Sequence, residues 1–239
     1  MINNKKIIAV VTARAGSSLE GKNYRDFCGK PLVCWSVLAA QQSQYIDSII
    51  VSTNCKEVEK VVLKNCLSNK TVILNRPDIL ATATSKNESA LIHAYWWSVL
   101  KNDLIADIIV NLQPTSPIRN NGLIDNCIKA MHDNNCDSLL TVNKETPFVW
   151  RRKDSKLIAD YDVLHRPMRQ DIKEDQWLMH DNGCMYAMNS DILLDRFCRI
   201  GLNPYLFETT GYQSMQIDTE EDFAIMESVC NSSLNSIPI

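Results

Sequence analysis

Short apolar runs, most of them rich in β-branched residues, alternate with amphipathic stretches along most of the chain. Apolar runs this brief predict buried strands rather than helices. The predicted strands lie at residues 7–11, 48–53, 71–74, 108–112, 138–142, 184–188 and 214–218. Apolar positions at helical spacing predict helices at residues 31–43, around 58–62, at 88–100, 122–132 and 190–198, and from 219 through 229. This alternation predicts an α/β fold with a mainly parallel sheet, in which ligands bind at the carboxyl ends of the strands.

The alternation breaks between residues 144 and 176, where the chain is charged and has no sustained helical period. We expect this stretch to leave the main sheet as hairpins and loops. Its last part, residues 166–171, contains two arginines, and Asn182-Gly183 is expected to open the next strand.

Composition restricts the possible functions. The chain has 239 residues, 45% hydrophobic and 22% charged, which is ordinary for a globular protein. A net charge of −3 provides no general attraction to nucleic acid or to an anionic membrane. The first residues contain too few apolar positions for a signal peptide or a membrane span. Nine scattered cysteines without a Cys-x-x-Cys pair, and four histidines without metal spacing, predict a reduced cytoplasmic protein without a zinc site.

A loop at residues 12–23 follows the first predicted strand, is rich in small residues and carries Arg14 and Lys22. Glycine lets backbone N–H groups approach phosphate oxygens, and the two cations neutralise charge, so this composition suits a polyphosphate. Part of the loop fits a P-loop pattern, but Asn23 stands where Ser or Thr should hold magnesium. Residues 24–31 also separate the lysine from the next helix. We therefore favour a long phosphate-binding loop, with an ordinary turn bearing solvated charges as the alternative.

Three other positions at strand ends carry candidate chemistry. The loop Gln113-Pro114-Thr115-Ser116-Pro117 is rigid because two prolines fix φ, which suits substrate positioning or a purely structural turn. Arg76 leaves the third strand at the same edge as the first loop. Asp218 ends the last predicted strand just before a capping-box-like sequence, which makes it either a magnesium ligand or a helix cap.

The first loop, continued through Gly29-Lys30-Pro31-Leu32, closely resembles the nucleotide-binding signature of the acylneuraminate (sialic acid) cytidylyltransferases. The loop at residues 113–117 resembles the Gln-x-Thr-Ser-Pro motif of the same family, in the right order and at a similar distance. Further matches are Arg166-Pro167-Met168-Arg169-Gln170 and the Asn182, Gly183 and Tyr186 pattern. The resemblance implies a Rossmann-like nucleotidyltransferase fold in a single domain over residues 7–230. It also implies a protruding dimerisation arm inserted at about residues 144–188.

The resemblance further implies the reaction. The anomeric hydroxyl of a nine-carbon 2-keto sugar acid, of sialic or legionaminic type, would attack the α-phosphorus of CTP and give a CMP-sugar and pyrophosphate for cell-surface polysaccharide biosynthesis. The implied cofactor is Mg²⁺, with Mn²⁺ as a substitute, and the implied assembly is a homodimer, with a tetramer as the alternative. No residue stands out as the general base, although His165 and His180 lie in the arm.

Site residues follow from the motif matches. The resemblance assigns nucleotide binding to Ala13, Arg14, Gly16, Ser17, Lys22, Asn23, Arg76 and Asn87. It assigns sugar-acid binding to Gln113, Thr115, Ser116, Arg166, Arg169, Gln170, Asn182 and Tyr186. The groups expected to act in catalysis are Arg14, Lys22, Arg166 and Asp218, the last as the metal ligand.

Two positions depart from the family pattern. The family usually ends its last strand with Asp-x-Asp, and here Gln216-Ile217-Asp218 lacks the first carboxylate. Ala83 stands where the nucleotide loop commonly carries an acid, so the assignment of Asn87 depends on a changed loop. The alternatives are therefore a cytidylyltransferase for pseudaminic acid or an eight-carbon keto-deoxy sugar, or a non-catalytic CTP or sugar-nucleotide binding protein.

Overall fold

Strands and helices alternate over most of the chain in the computed structural model, which describes residues 2, 4–16 and 19–233. The strands are β1 (Ile7–Thr12), β2 (Asp26–Phe27), β3 (Lys30–Pro31), β4 (Ser48–Thr53), β5 (Thr71–Asn75), β6 (Ile108–Leu112), β7 (Ser138–Glu145), β8 (Trp150–Lys153), β9 (Lys156–Ala159), β10 (Leu178–Asn189) and β11 (Pro204–Glu208). The helices are α1 (Leu32–Gln42), α2 (Lys56–Asn65), α3 (Asn87–Asn102), α4 (Leu123–Asp133), α5 (Ser190–Arg196) and α6 (Glu220–Ser233).

Seven strands form the central sheet, in the order β11-β7-β10-β6-β1-β4-β5. All neighbours pair in parallel except β10, which runs antiparallel to both β6 and β7. Strand β6 is the central strand, and β1 lies beside it, where Val10 is opposite Ile50 of β4 and Asn111 of β6. The predicted α/β fold with a mainly parallel sheet is confirmed, and every strand except β10 ends at the same edge.

Both faces of the sheet are buried, because successive side chains of β1 point to opposite sides. Ile7, Ala9 and Val11 join the core that includes residues of α1, α2 and α4, whereas Ile8 and Val10 join the core that includes residues of α3 and α5. This two-sided burial explains why β1, β4 and β6 read as continuous apolar runs in the sequence. No helix among the described residues has the length and apolar character required to span a membrane.

The predicted strand at residues 214–218 is wrong. Residues Gly211–Ser214 form a 3₁₀ turn, and the chain after it runs outside the sheet. The alternation that suggested a strand arises because Ile217 is fully buried and Met215 partly buried in a separate cluster with Phe27 and Phe223. The strand that completes the sheet is instead β11, which the pattern analysis missed because this edge strand is half-buried and lacks a continuous apolar run.

Smaller differences concern the starts of elements. Pro31 precedes α1 as its N-cap and does not lie in its first turn, since β2 and β3 form a small hairpin immediately before the helix. Strand β10 begins at Leu178, four residues before the expected Asn182-Gly183 opening. Its early part pairs with the end of β7, and the register then shifts between Asp181 and Tyr186.

The chain between β7 and β10 leaves the sheet, as expected for residues 144–176. It contains the β8 and β9 hairpin and two 3₁₀ turns, and its first and last residues extend the β7 and β10 pair beyond the sheet. Several large apolar side chains of this arm are exposed: Trp150, Leu157, Ile158, Val163, Leu164 and Met168. An exposed apolar surface of this extent on a small projection is typical of a protein interface.

Candidate active site

The candidate site lies where the parallel strands end. The loop after β1 carries Arg14, the turn after β5 carries Arg76, and the loop after β6 carries Gln113. Because these strands are neighbours or near neighbours in the sheet, the loops meet along one edge. The edge is the usual ligand-binding position of an open α/β sheet.

The loop after β1 is anchored at several points. The backbone N–H of Ala13 donates to the Ser52 carbonyl at 3.0 Å, and that of Ala15 donates to Asn54 Oδ1 at 2.9 Å. Asn23 Nδ2 donates to the Arg14 carbonyl at 3.1 Å, which ties the end of the loop back to its beginning. Gly16 lies exposed between these anchors, whereas Ser17, also predicted to bind nucleotide, lies outside the described residues.

Lys22 lies beneath this loop. Its side chain is 4% exposed, and Nζ donates to the Ile217 carbonyl at 2.6 Å and pairs with Asp218 Oδ1 at 3.3 Å. The preceding Gly21 has φ of +68°, and a Cβ there would lie 2.9 Å from the Tyr24 hydroxyl oxygen, so the turn into Lys22 requires glycine. The ammonium group is therefore fixed and points toward residues 217 and 218.

Asp218 provides the other half of this pair, and its side chain is 61% exposed. The cap of α6 is made by its neighbours: Asp222 Oδ2 accepts the N–H groups of Asp218 and Thr219, and Thr219 Oγ1 accepts the N–H of Asp222. A hydrogen bond from the Thr219 side chain, followed by those from the two backbone N–H groups, holds the pKa of the Asp222 carboxyl below its usual value. The pairing with Lys22 and the exposure of Asp218 favour the ligand interpretation of that carboxylate over the cap.

The two arginines near the base of the loop differ in burial. Arg76 is 5% exposed, and its guanidinium turns inward, with Nε 3.0 Å from Ser52 Oγ and Nη2 2.5 Å from the Ser52 carbonyl. Burial, with a smaller contribution from the charge of Arg14, lowers the pKa of Arg76 to about 10. Arg76 thus remains charged at neutral pH, and together with the half-buried Arg14 it makes this part of the edge electropositive.

Asn87 begins α3 and is tied to the sheet. Its Nδ2 donates to Asn111 Oδ1 at 2.7 Å, and Asn111 Nδ2 donates to the Val10 carbonyl at 3.2 Å. Asn111 is fully buried in the middle of β6, where its amide satisfies Asn87 and β1 together. This chain of amides fixes the start of α3 relative to the β1 loop.

The loop after β6 is held by Arg119, a residue that the motif analysis did not identify. Its Nη2 donates to the Gln113 carbonyl at 2.9 Å and to the Cys184 carbonyl at 2.8 Å. Its Nη1 donates to Ser36 Oγ at 2.9 Å. Arg119 is 7% exposed, and its only sequence signal is its place directly after the two-proline motif. The neighbouring Ser116 hydroxyl is fully buried and has no hydrogen-bond partner in the described part of the chain.

Asn182 and Tyr186 are nearly buried and lie in β10. Asn182 Nδ2 donates to Thr209 Oγ1 at 2.7 Å, and its Oδ1 accepts from Thr141 Oγ1 at 2.8 Å, so the side chain is already satisfied. The Tyr186 hydroxyl lies 2.9 and 3.0 Å from the two Asp181 carboxylate oxygens. Burial and, to a smaller extent, this carboxylate raise the pKa of Tyr186 well above its usual value, so the hydroxyl stays a donor. Both residues shape the β10 bulge.

The arm residues are not joined to these loops within one chain. Arg166, Arg169 and Gln170 are exposed, and among the described residues their side chains form no hydrogen bond or ion pair with the loops after β1 or β6. The Arg166 guanidinium stacks 4.0 Å above the Phe148 ring. Arg169 lines an open cavity of about 340 Å³ with Lys144, Glu145, Thr146 and Trp177. No sequence motif indicated that Lys144 and Trp177 line this cavity.

One family of known proteins matches nearly the whole chain. The family model described as "Cytidylyltransferase" matches residues 8–235. The chain belongs to the cytidylyltransferase family. The prediction of a nucleotidyltransferase of this type is thereby confirmed.

Relatives of this cytidylyltransferase match more than nine-tenths of the chain. A CMP-N,N'-diacetyllegionaminic acid synthase of Legionella pneumophila is 30% identical over 229 residues, covering 93% of this chain and 95% of that protein. An N-acylneuraminate cytidylyltransferase A of Danio rerio is 24% identical, and the match covers 94% of this chain but 50% of that longer protein. The structure of a CMP:2-keto-3-deoxy-manno-octonic acid synthetase complexed with CTP superimposes with a TM-score of 0.65 at 19% identity, covering 95% of this chain and 99% of that one. The last likeness supports the fold alone.

Replacing Arg119 tests whether it holds the edge of this cytidylyltransferase together. Arg119→Met should lower the free energy of unfolding by about 2–3 kcal/mol, because the buried Cys184 carbonyl loses both donors that Arg119 supplies and the Gln113 carbonyl loses one of its three. Urea unfolding followed by tryptophan fluorescence measures the change. The exposed Arg196→Met is the matched control, and equal stability of the two variants would contradict this role.

Proposed function

We propose that this cytidylyltransferase transfers CMP from CTP to the anomeric hydroxyl of a nine-carbon 2-keto sugar acid of the sialic or legionaminic class. The hydroxyl oxygen bonds to the α-phosphorus, the bond from that phosphorus to the bridging oxygen breaks, and pyrophosphate leaves with the electron pair while the hydroxyl proton is released. The observation that carries the proposal is the meeting of Lys22, Asp218 and the loop at residues 113–117 at one sheet edge. The full-length similarity to a legionaminic acid synthase supports the sugar class.

The loop after β1 would hold the triphosphate. Arg14 and Gly16, with the backbone at Ala13, would form the cradle, to which the sequence motif adds Ser17, and Asn23 keeps the loop closed through its bond to the Arg14 carbonyl. Arg76 and Lys22 add positive charge from below, since both are nearly buried and fixed by carbonyl groups. Charge fixed before the reaction stabilises the leaving pyrophosphate without reorganisation. Asn87 would contact the nucleoside from the start of α3.

Magnesium would bind at Asp218. The described residues contain no group of three or more His, Cys, Asp or Glu side chains arranged for a metal. Mg²⁺ is commonly held by one or two carboxylates with phosphate oxygens and water, and the exposed carboxylate of Asp218 fits that requirement. The ion, or Mn²⁺ in its place, would supply charge neutralisation at the phosphates, while Lys22 holds the carboxylate that binds it.

The loop after β6 would bind the sugar acid. Gln113 and Thr115 line this part of the edge, and the buried Ser116 hydroxyl retains a free hydrogen-bonding capacity. Asn182 and Tyr186 would act by holding the adjacent β10 bulge in place. Arginine is well suited to the sugar carboxylate because its guanidinium makes two parallel hydrogen bonds.

The arginines for this role lie on the arm, and we propose that a partner subunit brings them to the site. Arg166, Arg169 and Gln170 are exposed, and the arm presents an exposed apolar surface that a second copy would cover. A homodimer in which each arm reaches over the other subunit's sheet edge would complete both sites. The nine free cysteines favour a reducing compartment, and we propose that the enzyme acts in the cytoplasm.

The direct test of the function is pyrophosphate release from CTP with Mg²⁺ and a panel of sugar acids. The panel contains sialic, legionaminic and pseudaminic acids and an eight-carbon keto-deoxy acid, with UTP and ATP as nucleotide controls. We expect release only with CTP and a sialic-type or legionaminic-type acid, because the full-length relative is named for the latter. Release with the eight-carbon acid alone would overturn the substrate class, and CTP binding without release would favour a binding protein.

Replacing Lys22 tests the charged pair. Lys22→Met should lower kcat/KM for CTP by about 10²-fold to 10³-fold, because the fixed cation and the anchor of Asp218 are lost together. Steady-state pyrophosphate release measures the change, with Lys60→Met on the exposed face of α2 as the control. A rate within a factor of about 3 of the control would contradict the role, since loss of one preorganised donor exceeds that difference.

A further inference from the structure

Gln216 bridges two loops of the site. Its Nε2 donates to the Asn182 carbonyl at 2.8 Å, and its Oε1 accepts from Thr115 Oγ1 at 3.2 Å. The backbone beside it reinforces the second contact, since the Ile217 N–H donates to the Thr115 carbonyl at 2.8 Å. Gln216 thus joins the loop after β6 to the β10 bulge.

Only a neutral amide satisfies both contacts. The Asn182 carbonyl can only accept a hydrogen bond, so its partner must be a donor, and the Thr115 hydroxyl donates on the opposite side. A carboxylate at position 216 has no donor at neutral pH and would place its charge against the Asn182 carbonyl oxygen. An apolar side chain would leave that carbonyl without its side-chain donor.

Gly183 packs closely against the side chains of both Gln216 and Gln113, so the position of Gln216 affects that of Gln113. Gly183 has φ of +68°, and a Cβ there would overlap Gln216 Nε2 and lie 2.9 Å from Gln113 Oε1. The ends of both glutamine side chains therefore lie against the same stretch of backbone. A shift of Gln216 would move the glycine turn and, with it, the surface against which the Gln113 amide rests.

We propose that Gln216 is a positioning residue for the sugar-acid half of the site, fixing Gln113 and Thr115 against the Gly183 turn. This proposal rests on the proposed function, in which Gln113 and Thr115 face the sugar acid. Gln216 contributes no charge, so the segment 216–218 offers a metal the carboxylate of Asp218 and uses the amide for alignment.

Kinetics of Gln216→Glu and Gln216→Met test the proposal. Both variants should raise KM for the sugar acid by about tenfold while changing KM for CTP by less than about twofold. Gln216→Glu loses the bond to the Asn182 carbonyl and Gln216→Met loses that bond and the one from Thr115, and both bonds lie on the sugar side alone. The control is Gln213→Glu, since buried Gln213 accepts from the Asn120 N–H at 3.1 Å and keeps that acceptor as glutamate. Equal increases in both KM values would indicate a general structural effect and overturn the proposal.

Hydrogen exchange of the unliganded protein gives a readout that does not depend on activity. In Gln216→Met, the amides of Ile217, Thr115 and Ser116 should exchange about tenfold faster than in wild type, whereas exchange in β1 should not change. Unchanged exchange in this loop would refute the positioning role. If the wild-type protein released no pyrophosphate with any acid, the proposed function would fail, and the exchange result would still decide whether Gln216 fixes the loop.

Discussion

The geometry of the candidate site depends on two hydrogen bonds made by the main chain of Ile217. Its N–H binds the Thr115 carbonyl at 2.8 Å, and its carbonyl accepts from Lys22 Nζ at 2.6 Å. The Ile217 side chain is fully buried beside Phe27 and Phe223, so the main chain cannot move without disturbing that cluster. One residue outside the sheet therefore fixes the separation between the proposed phosphate side and the proposed sugar side. Reaction between two bound substrates depends on such a separation, because an error of about 1 Å is costly to rate.

The positive charge at the candidate site comes from a few residues and is stabilised by oxygen atoms of the protein. A protein of net charge −3 has no general attraction for CTP, yet the sheet edge holds Arg14, Arg76 and Lys22 within a few loops. Two of these cations are almost completely buried and are stabilised by carbonyl oxygens, and Lys22 also pairs with Asp218. The buried positions keep the charges fixed and weakly screened by salt, as the proposed triphosphate site requires.

Much of the fold follows from the sequence pattern, because strands buried on both faces need continuous apolar runs. For this reason the predicted bounds of β4 and β6 agree with the structure at both ends. The edge strand β11 is half-buried and has no such run. Residues 214–218 alternate between apolar and polar because their apolar side chains enter a cluster outside the sheet. Alternation reports which side chains are buried and does not identify the element that covers them.

The sequence predicts which residue types lie in the candidate site and which loops carry them, but it does not predict how their side chains are oriented. The motifs identified Lys22, Arg76 and Asn182, and the structure shows that all three are almost buried and bonded to protein groups. Arg119 and Gln216 hold the same loops, and the sequence did not predict these contacts, although Gln216 stands at the first position of the Asp-x-Asp pattern. Their partners are mainly backbone carbonyls and hydroxyls, several of them far away in sequence. Such long-range bonds leave no local signal in the chain.

The most direct measurement is a crystal structure of the protein with CTP, Mg²⁺ and a non-reacting analogue of the nine-carbon acid. We expect the triphosphate against Arg14 and Gly16, the metal ion at Asp218 and the sugar carboxylate between Gln113 and an arm arginine of the partner subunit. Binding of the nucleotide at another surface would contradict the proposed function. One such place is the small polar cavity beneath the opposite edge of the sheet, lined by residues that include Lys5, His132 and Asn189.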